Sequence, residues 1–331
     1  MINYRRFLAL LLPAMLAVSS PSPTLHWSQG PRLPFPRTEV QVAQSGSRLY
    51  VLGGYSAQTD FESRVDIFDA TSGLWSAGPP LPVGRNHTAV AAGNGYIYVF
   101  GGCCSRRTYS ADVLDIAANA WRALPPMPAH CGAGAAAVLD GKVHIASGNC
   151  DVAPDTYRDV TTHLVYDPMT ERYSTAAPLP EARNHLCLIA AAGRLFAIGG
   201  RHETKAHERA RVDIYDPRSD RWTPGAPLPA KRSGAACALS GGYIFVIGGD
   251  AGTEQIPAPA HDTVFVYSIA RNRWSNGGTL PHGLHGTDAA VLGGTIYLPG
   301  GSAIGGHKRP LDEMLEITPE PAAATGSANF R

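Results

Sequence analysis

Apolar and polar positions alternate in short bursts along this chain, and six of the bursts end alike. LYVLGG closes at Gly54, IYVFGG at Gly102, LFAIGG at Gly200, IFVIGG at Gly249 and IYLPGG at Gly301, and a degenerate copy, VHIASG, closes at Gly148. Apolar runs of that length stopped by glycine read as strands ending at a turn. A further strand follows in each unit, as in VDIFD (Val65 to Asp69), VDIYD (Val212 to Asp216) and VFVYS (Val264 to Ser268). An aromatic residue stands 27 positions before the second glycine in all six copies: Trp27, Trp75, Trp121, Tyr173, Trp222 and Trp274. The interval from the glycines to the next aromatic varies from 19 to 25 residues, so insertions fall in one type of loop. No segment shows a sustained helical period. The pattern predicts an all-β repeat whose units bury their faces against one another.

The glycine pair, the Tyr-Asp-Pro style strand end and the recurring Trp resemble the kelch family, over residues 25 to 318. The resemblance implies a β-propeller of four-stranded blades around a central channel. Six copies imply six blades. After Gly301 one more strand remains (Met314 to Ile317) with no Trp behind it, so the missing outer strand of the last blade is expected from the N-terminal segment, Trp27 to Pro31. The glycines and tryptophans themselves read as scaffold, giving close backbone approach and filling space between blades.

Composition agrees with many strands and turns, with 36 Gly, 27 Pro and 17% charged residues in 331. The net charge of +1, without a basic block, lacks the electrostatic footprint of nucleic-acid binding. Arg5 and Arg6 precede an apolar run from Phe7 to Val18, with Ala17 and Ser19 at cleavage-like spacing. Residues 1–20 are therefore expected to be a secretory signal peptide, 21–318 a single propeller domain and 319–331 a flexible tail. Cleavage would leave 26 basic against 27 acidic residues. The expected product is a secreted or periplasmic monomer with no membrane attachment.

In kelch propellers ligand contacts concentrate on the face made by the loop entering strand 1 and the loop leaving strand 2. Counting 17 residues back from each second glycine gives Arg37, Arg85, Cys131, Arg183, Arg232 and Leu284. The repeated arginine reads as a strand-start hydrogen-bonder. The next position holds Thr38, Asn86, Gly132, Asn184, Ser233 and His285, and the one after it Glu39, His87, Ala133, His185, Gly234 and Gly286. Just past the glycine pairs stand Tyr55, Cys103, Asn149, Arg201, Asp250 and Ser302, with His202 one further on. Antiparallel pairing of strands 1 and 2 would put both rings at one end.

Glu39, His87 and His185 break the repeat's own consensus, and imidazole with carboxylate at one pocket can do general acid and base work. Tyr55, Asn86, Asn149, Asn184, Arg201, His202, Asp250 and His285 are the candidate ligand-binding residues. Because blades 2 and 4 are not neighbours, His87 and His185 are expected to stand apart across the ring, bridged more easily by a ligand than by a metal ion. No metal ligands are therefore assigned and no cofactor is expected, a metal ion remaining an open alternative. Cys103, Cys104, Cys131 and Cys150 gather at one edge of this face. Cys131 to Cys150 is the expected disulfide, with Cys104 to Cys131 or a vicinal Cys103 to Cys104 bridge as alternatives, while Cys187 and Cys237, inside apolar strands, read as buried free thiols.

Two classes of function suit such a face. One is a binding module for a small molecule, glycan or peptide segment; the other is a redox-free acid/base enzyme using His87, His185 and Glu39. A metal-dependent oxidase resembling galactose oxidase is disfavoured by the absence of that family's adjacent Tyr-His pair and by the blade count. The Glu-x3-Asp-x3-His run of nitrile-specifier proteins is also absent. Sialic acid mutarotases resemble the chain only in fold, as secreted six-bladed kelch rings that carry out acid/base isomerisation.

Overall fold

The computed structural model describes residues 22–103, 109–153, 156–252, 256, 258–306 and 309–320. Six four-stranded antiparallel sheets follow one another along the chain, each running from an inner to an outer strand. Blade 1 comprises Gln41–Ser45, Arg48–Leu52, Val65–Asp69 and Leu74–Ala77; blade 2 begins at Ala89–Gly93, blade 3 at Ala135–Leu139, blade 4 at Cys187–Ala191 and blade 5 at Ala236–Ser240. Blade 6 starts with Ala290–Leu292, Thr295–Pro299 and Met314–Glu320, and its fourth strand is Thr24–Gln29 from the other end of the chain. That strand pairs in register from Thr24 opposite Glu320 to Gln29 opposite Leu315, with Trp27 opposite Ile317. The closing strand includes Trp27 as the sequence requires, but it spans Thr24–Gln29 rather than Trp27 to Pro31, and its partner runs on to Glu320. The proposed signal peptide and the rest of the C-terminal tail lie outside the described residues.

The core lies between blades rather than within them. Val42, Leu49 and Phe68 of blade 1 pack on Ala290, Leu292 and Met314 of blade 6. Tyr98 and Phe100 of blade 2 pack on Ile145, Leu164 and Tyr166 of blade 3. The conserved spacing of the outer aromatic acquires a mechanical meaning here. Trp75 Nε1 donates to Pro31 O, Trp121 to Pro79 O, Trp222 to Ala177 O and Trp274 to Ala226 O at 2.8–3.0 Å, and Tyr173 OH donates to Pro125 O at 3.0 Å. Blades 1 to 5 are thus each pinned to the turn that ends the blade before. Trp27 is 51% exposed and is not among these pins.

Blade 3 departs from the others. It carries an additional small sheet of Cys131–Gly132, Asn149–Ala153 and Thr156–Asp159, in which Cys131 lies directly opposite Cys150 and is bonded to it. Where the other blades place an aromatic residue and an apolar one (Val65, Ala111, Val212, Val264 or Met314), it has His144 and His163, both buried, with His144 Nδ1 2.9 Å from His163 Nε2. Burial pushes the His144 pKa down to about 4 and that of His163 below its usual value. Cys187 and Cys237 correct the sequence reading. They are joined as a second disulfide, not left as thiols, because the inner strands of blades 4 and 5 converge near the axis.

Candidate functional site

The loop into each inner strand is anchored by a buried pair wherever the first collar position is arginine and strand 3 offers aspartate. Arg37 meets Asp66 at 2.7 Å, Arg183 meets Asp213 at 2.6 Å and Arg85 meets Asp112. The same guanidinium donates to the first glycine of its pair, as Arg37 Nη1 does to Gly53 O at 3.1 Å. In blade 5 strand 3 has Phe265 instead, and Arg232 lies over that ring at 4.9 Å. The first collar ring is therefore scaffold, as its repetition implied. The second ring pairs through the backbone with the residue after the glycines, at Thr38 and Tyr55, Asn86 and Cys103, Asn184 and Arg201, and His285 and Ser302. Both rings do lie at one end.

At the third collar position the backbone is left-handed in all six blades: φ is 52° at Glu39, 49° at His87, 55° at Ala133, 51° at His185, 57° at Gly234 and 65° at Gly286. Glycine takes this conformation freely, whereas a side chain costs on the order of 1 kcal/mol there. Blades 5 and 6 use glycine. Blades 1, 2 and 4 instead hold the three residues that can do proton chemistry.

These three side chains meet over the channel. His87 Nε2 lies 3.3 Å from Glu39 Oε2, and the His87 and His185 rings stand edge to face with centroids 5.0 Å apart. The expected separation across the ring is therefore wrong. Backbone bonds explain the contact: Ala133 N donates to His87 O and His185 N to Ala133 O, both at 2.9 Å, so only one small residue stands between the histidines. Glu39, His87 and His185 each offer a ligand atom within 4.8 Å of the others.

The asparagines at the second position orient the histidines. Asn86 Nδ2 donates to Asp60 O at 2.7 Å, leaving its Oδ1 to accept from His87 Nδ1 at 2.6 Å. Asn184 Nδ2 donates to the Asp159 carboxylate at 2.8 Å, so its Oδ1 faces His185 Nδ1 at 2.5 Å and Arg201 Nε at 3.1 Å. Arg201 Nη2 then donates to His185 Nε2 at 3.2 Å. These partners describe a neutral His185 protonated at Nδ1. Desolvation, reinforced by the charge of Arg201, agrees by holding its pKa well below the usual range.

The remaining charges form one network. Asp250 accepts from Arg201 at 3.1 Å and from Lys205 at 2.8 Å. Burial works to raise the Asp250 pKa, but His285, Lys205 and Arg201 outweigh it and hold the group below its usual value. His285 Nε2 donates to Ile304 O at 2.8 Å, which turns Nδ1 toward Glu39 and Asp250 at 3.7 and 3.8 Å. Tyr55 sets its ring edge-on to His87 at 5.7 Å, and burial raises its pKa.

Of the candidate ligand-binding residues, Tyr55, Arg201, Asp250 and His285 thus join the three acid/base candidates. Asn86 and Asn184 lie buried beneath their histidines. Asn149 donates to Asp159 at 2.9 Å. His202 sits to the side, 3.1 Å from Ala182 O and 3.8 Å from Asp159. Sequence reasoning missed Lys205 and Asp159. Both occupy insertions after a glycine pair, the one loop type that varies in length, and that variation was the available signal. Cys104 lies outside the described residues, so the alternative pairings that involve it do too.

Below the collar the six inner strands enclose a cavity of about 440 Å³ walled mainly by Ala, Val, Leu and Ile. Asp288, half-buried, is an acid in its wall. Loss of solvent raises its pKa to about 6, against the backbone N–H groups of Ala289 and Cys237 that favour the ionised form.

The Kelch motif matches residues 36–82, 84–128, 182–229 and 231–281, more than half of the chain. The chain belongs to the kelch family. The four matched stretches cover the repeats of blades 1, 2, 4 and 5, and leave out the kelch blade that carries the histidine pair and the one closed by the N-terminal strand. Among solved structures, one described as "Structure of YjhT" is similar in fold to this kelch propeller, with a TM-score of 0.75 and 17% identity over 87% of this chain and 97% of that one. No curated protein matches the sequence.

Proposed function

We propose that this kelch propeller is a secreted or periplasmic protein that binds a small, hydroxyl-rich molecule at the collar end of its axial channel. The observation that carries the reading is the third collar position. Three blades keep a strained, proton-active side chain where two use glycine, and all three side chains turn to the same point. Strain retained at one mouth of a channel is expected of a site under functional demand. The cavity volume of about 440 Å³ suits a small molecule or a terminal sugar rather than a folded segment. Arg201, Tyr55 and His285 stand against His185, His87 and Glu39, with Asp250 holding Arg201, so that the collar side chains are backed by further donors and acceptors. The two disulfides support an oxidising compartment, and no helix among the described residues is long and apolar enough to cross a membrane.

A second reading, redox-free acid/base catalysis on the bound molecule, is favoured by the facing of His87 and Glu39 at 3.3 Å. A proton shared by that pair could be given or taken at a substrate hydroxyl.

Thermal-shift measurements against a panel of mono- and disaccharides, sugar acids and polyols test the site. At least one compound should raise the melting temperature of the native protein and fail to do so with His87→Ala and His185→Ala, whose own melting temperatures stay close to native. A panel without effect, or a shift that survives both substitutions, would overturn the proposal.

A further inference from the structure

We infer that Glu39, His87 and His185 bind a single divalent transition-metal ion of the zinc class at the channel mouth. The inference rests on the reading of this mouth as the functional site and adds the ion to it.

Two histidines and one carboxylate are a donor set suited to such ions, and three protein ligands leave a coordination position open for a small molecule. The spacing is close to what an ion needs. Bonds of about 2.0–2.1 Å in a tetrahedral arrangement place neighbouring ligand atoms roughly 3.3 Å apart. His87 Nε2 and Glu39 Oε2 are already separated by 3.3 Å. All three ligand atoms lie within 4.8 Å of one another, so His185 has at most about 1.5 Å to travel.

The surroundings argue the same way. Histidines that ligate through Nε2 are held by a hydrogen bond from Nδ1, which sets the tautomer and aims the ring. Here both Nδ1 atoms meet an asparagine Oδ1, at 2.6 and 2.5 Å, and both asparagines are themselves fixed through Nδ2. Two non-adjacent blades thus carry the same orienting device and present the same ring atom to one point. Without an ion, Arg201 supplies the positive charge at His185 Nε2. Asp250, which already accepts from Arg201 Nη1, can keep the guanidinium when Nη2 is displaced. Metal and arginine therefore compete for one imidazole, and all three ligand residues line the cavity.

The test uses the full chain after removal of metals by a chelator, with cobalt(II) as the probe. One equivalent should bind with the visible absorption of a four-coordinate site. His87→Gln and Glu39→Gln should each weaken binding at least tenfold, while Arg201→Gln, which removes the competing cation, should bind as tightly as the native chain or more so. Melting temperatures of the variants confirm that each is folded. The inference fails if neither the native chain nor folded Arg201→Gln takes up one equivalent, or if uptake is unchanged in both ligand variants. Repeating the sugar panel on the metal-stripped chain separates the two ideas. A compound that shifts the stripped chain as strongly as the cobalt-loaded one overturns the metal's part and leaves the binding site standing.

Discussion

Ala133 holds a φ of 55° without presenting any functional group to the channel. It is thus a control for the cost borne by its neighbours. Ala133→Gly should stabilise the protein by up to about 1 kcal/mol in denaturant titration, since glycine enters the left-handed region without the Cβ clash, offset by its greater freedom when unfolded. No gain, or a loss, would mean the loop does not carry the strain on which the functional argument leans. Glu39, His87 and His185 stand out in the sequence because each interrupts a repeat that runs elsewhere to glycine or alanine. Their meeting was not legible. Blade order suggests distance, but inner strands converge toward the axis, and the 5.0 Å between imidazoles depends on that convergence and on one alanine.

Strands carry a second kind of information, in where they exchange one buried residue for another. In blade 3 His144 replaces an aromatic and His163 an apolar residue, and the two bond to each other, packed against Tyr215 and Trp222. Both are neutral when folded, with His144 at about 4 against roughly 6.5 in an unfolded chain. Protonation therefore favours the unfolded state. Their contribution is fully present above pH 6.5 and is lost as the pH falls toward 4, on the order of 3 kcal/mol for His144. The double substitution His144→Phe, His163→Val installs the pair that blades 4 and 5 carry, an aromatic residue and a valine. It should lose less stability than the native protein between pH 7 and 4.5, measured by denaturant unfolding; equal losses would show that the pair is not the acid-sensitive element. The disulfides divide by the same geometry. Cys131 and Cys150 could be paired from register within one blade, whereas Cys187 and Cys237 occupy strands of different blades, 13 and 12 positions before their glycines. Only the packing of neighbouring inner strands brings them together. A cross-link closing a 50-residue separation limits the unfolded chain by roughly 4 kcal/mol, somewhat more than the 19-residue one.

For the whole molecule, fold and ring closure were legible because both are counting problems. Invariant spacing marks the blades, and one missing strand at the C-terminal end requires one at the other. The site was legible only as far as its face, because insertions obey no repeat. Closure makes a further demand on stability. Removing residues through Gln29 would strip the partner from Met314–Glu320, a strand that buries Met314, Leu315 and Ile317. The truncated protein should aggregate or melt far below the full chain, and a synthetic peptide spanning residues 22–31 should recover part of the loss by adding back as a strand. A truncation that melts like the native protein would show that the sixth blade stands without its fourth strand.

The pairing of Thr24 with Glu320 also has a consequence for the order in which the molecule forms. Blades 1 to 5 are each assembled from contiguous sequence and can take shape as the chain emerges from the ribosome. The first strand has no such freedom. It is made before all five of those blades, and its partner after them. Until that partner is made it lacks its hydrogen bonds, and an arc of blades stays open beside it. Formation of this contact, with its very long sequence separation, is the slow and vulnerable step of biogenesis, when two unfinished molecules could exchange first strands and close each other's rings.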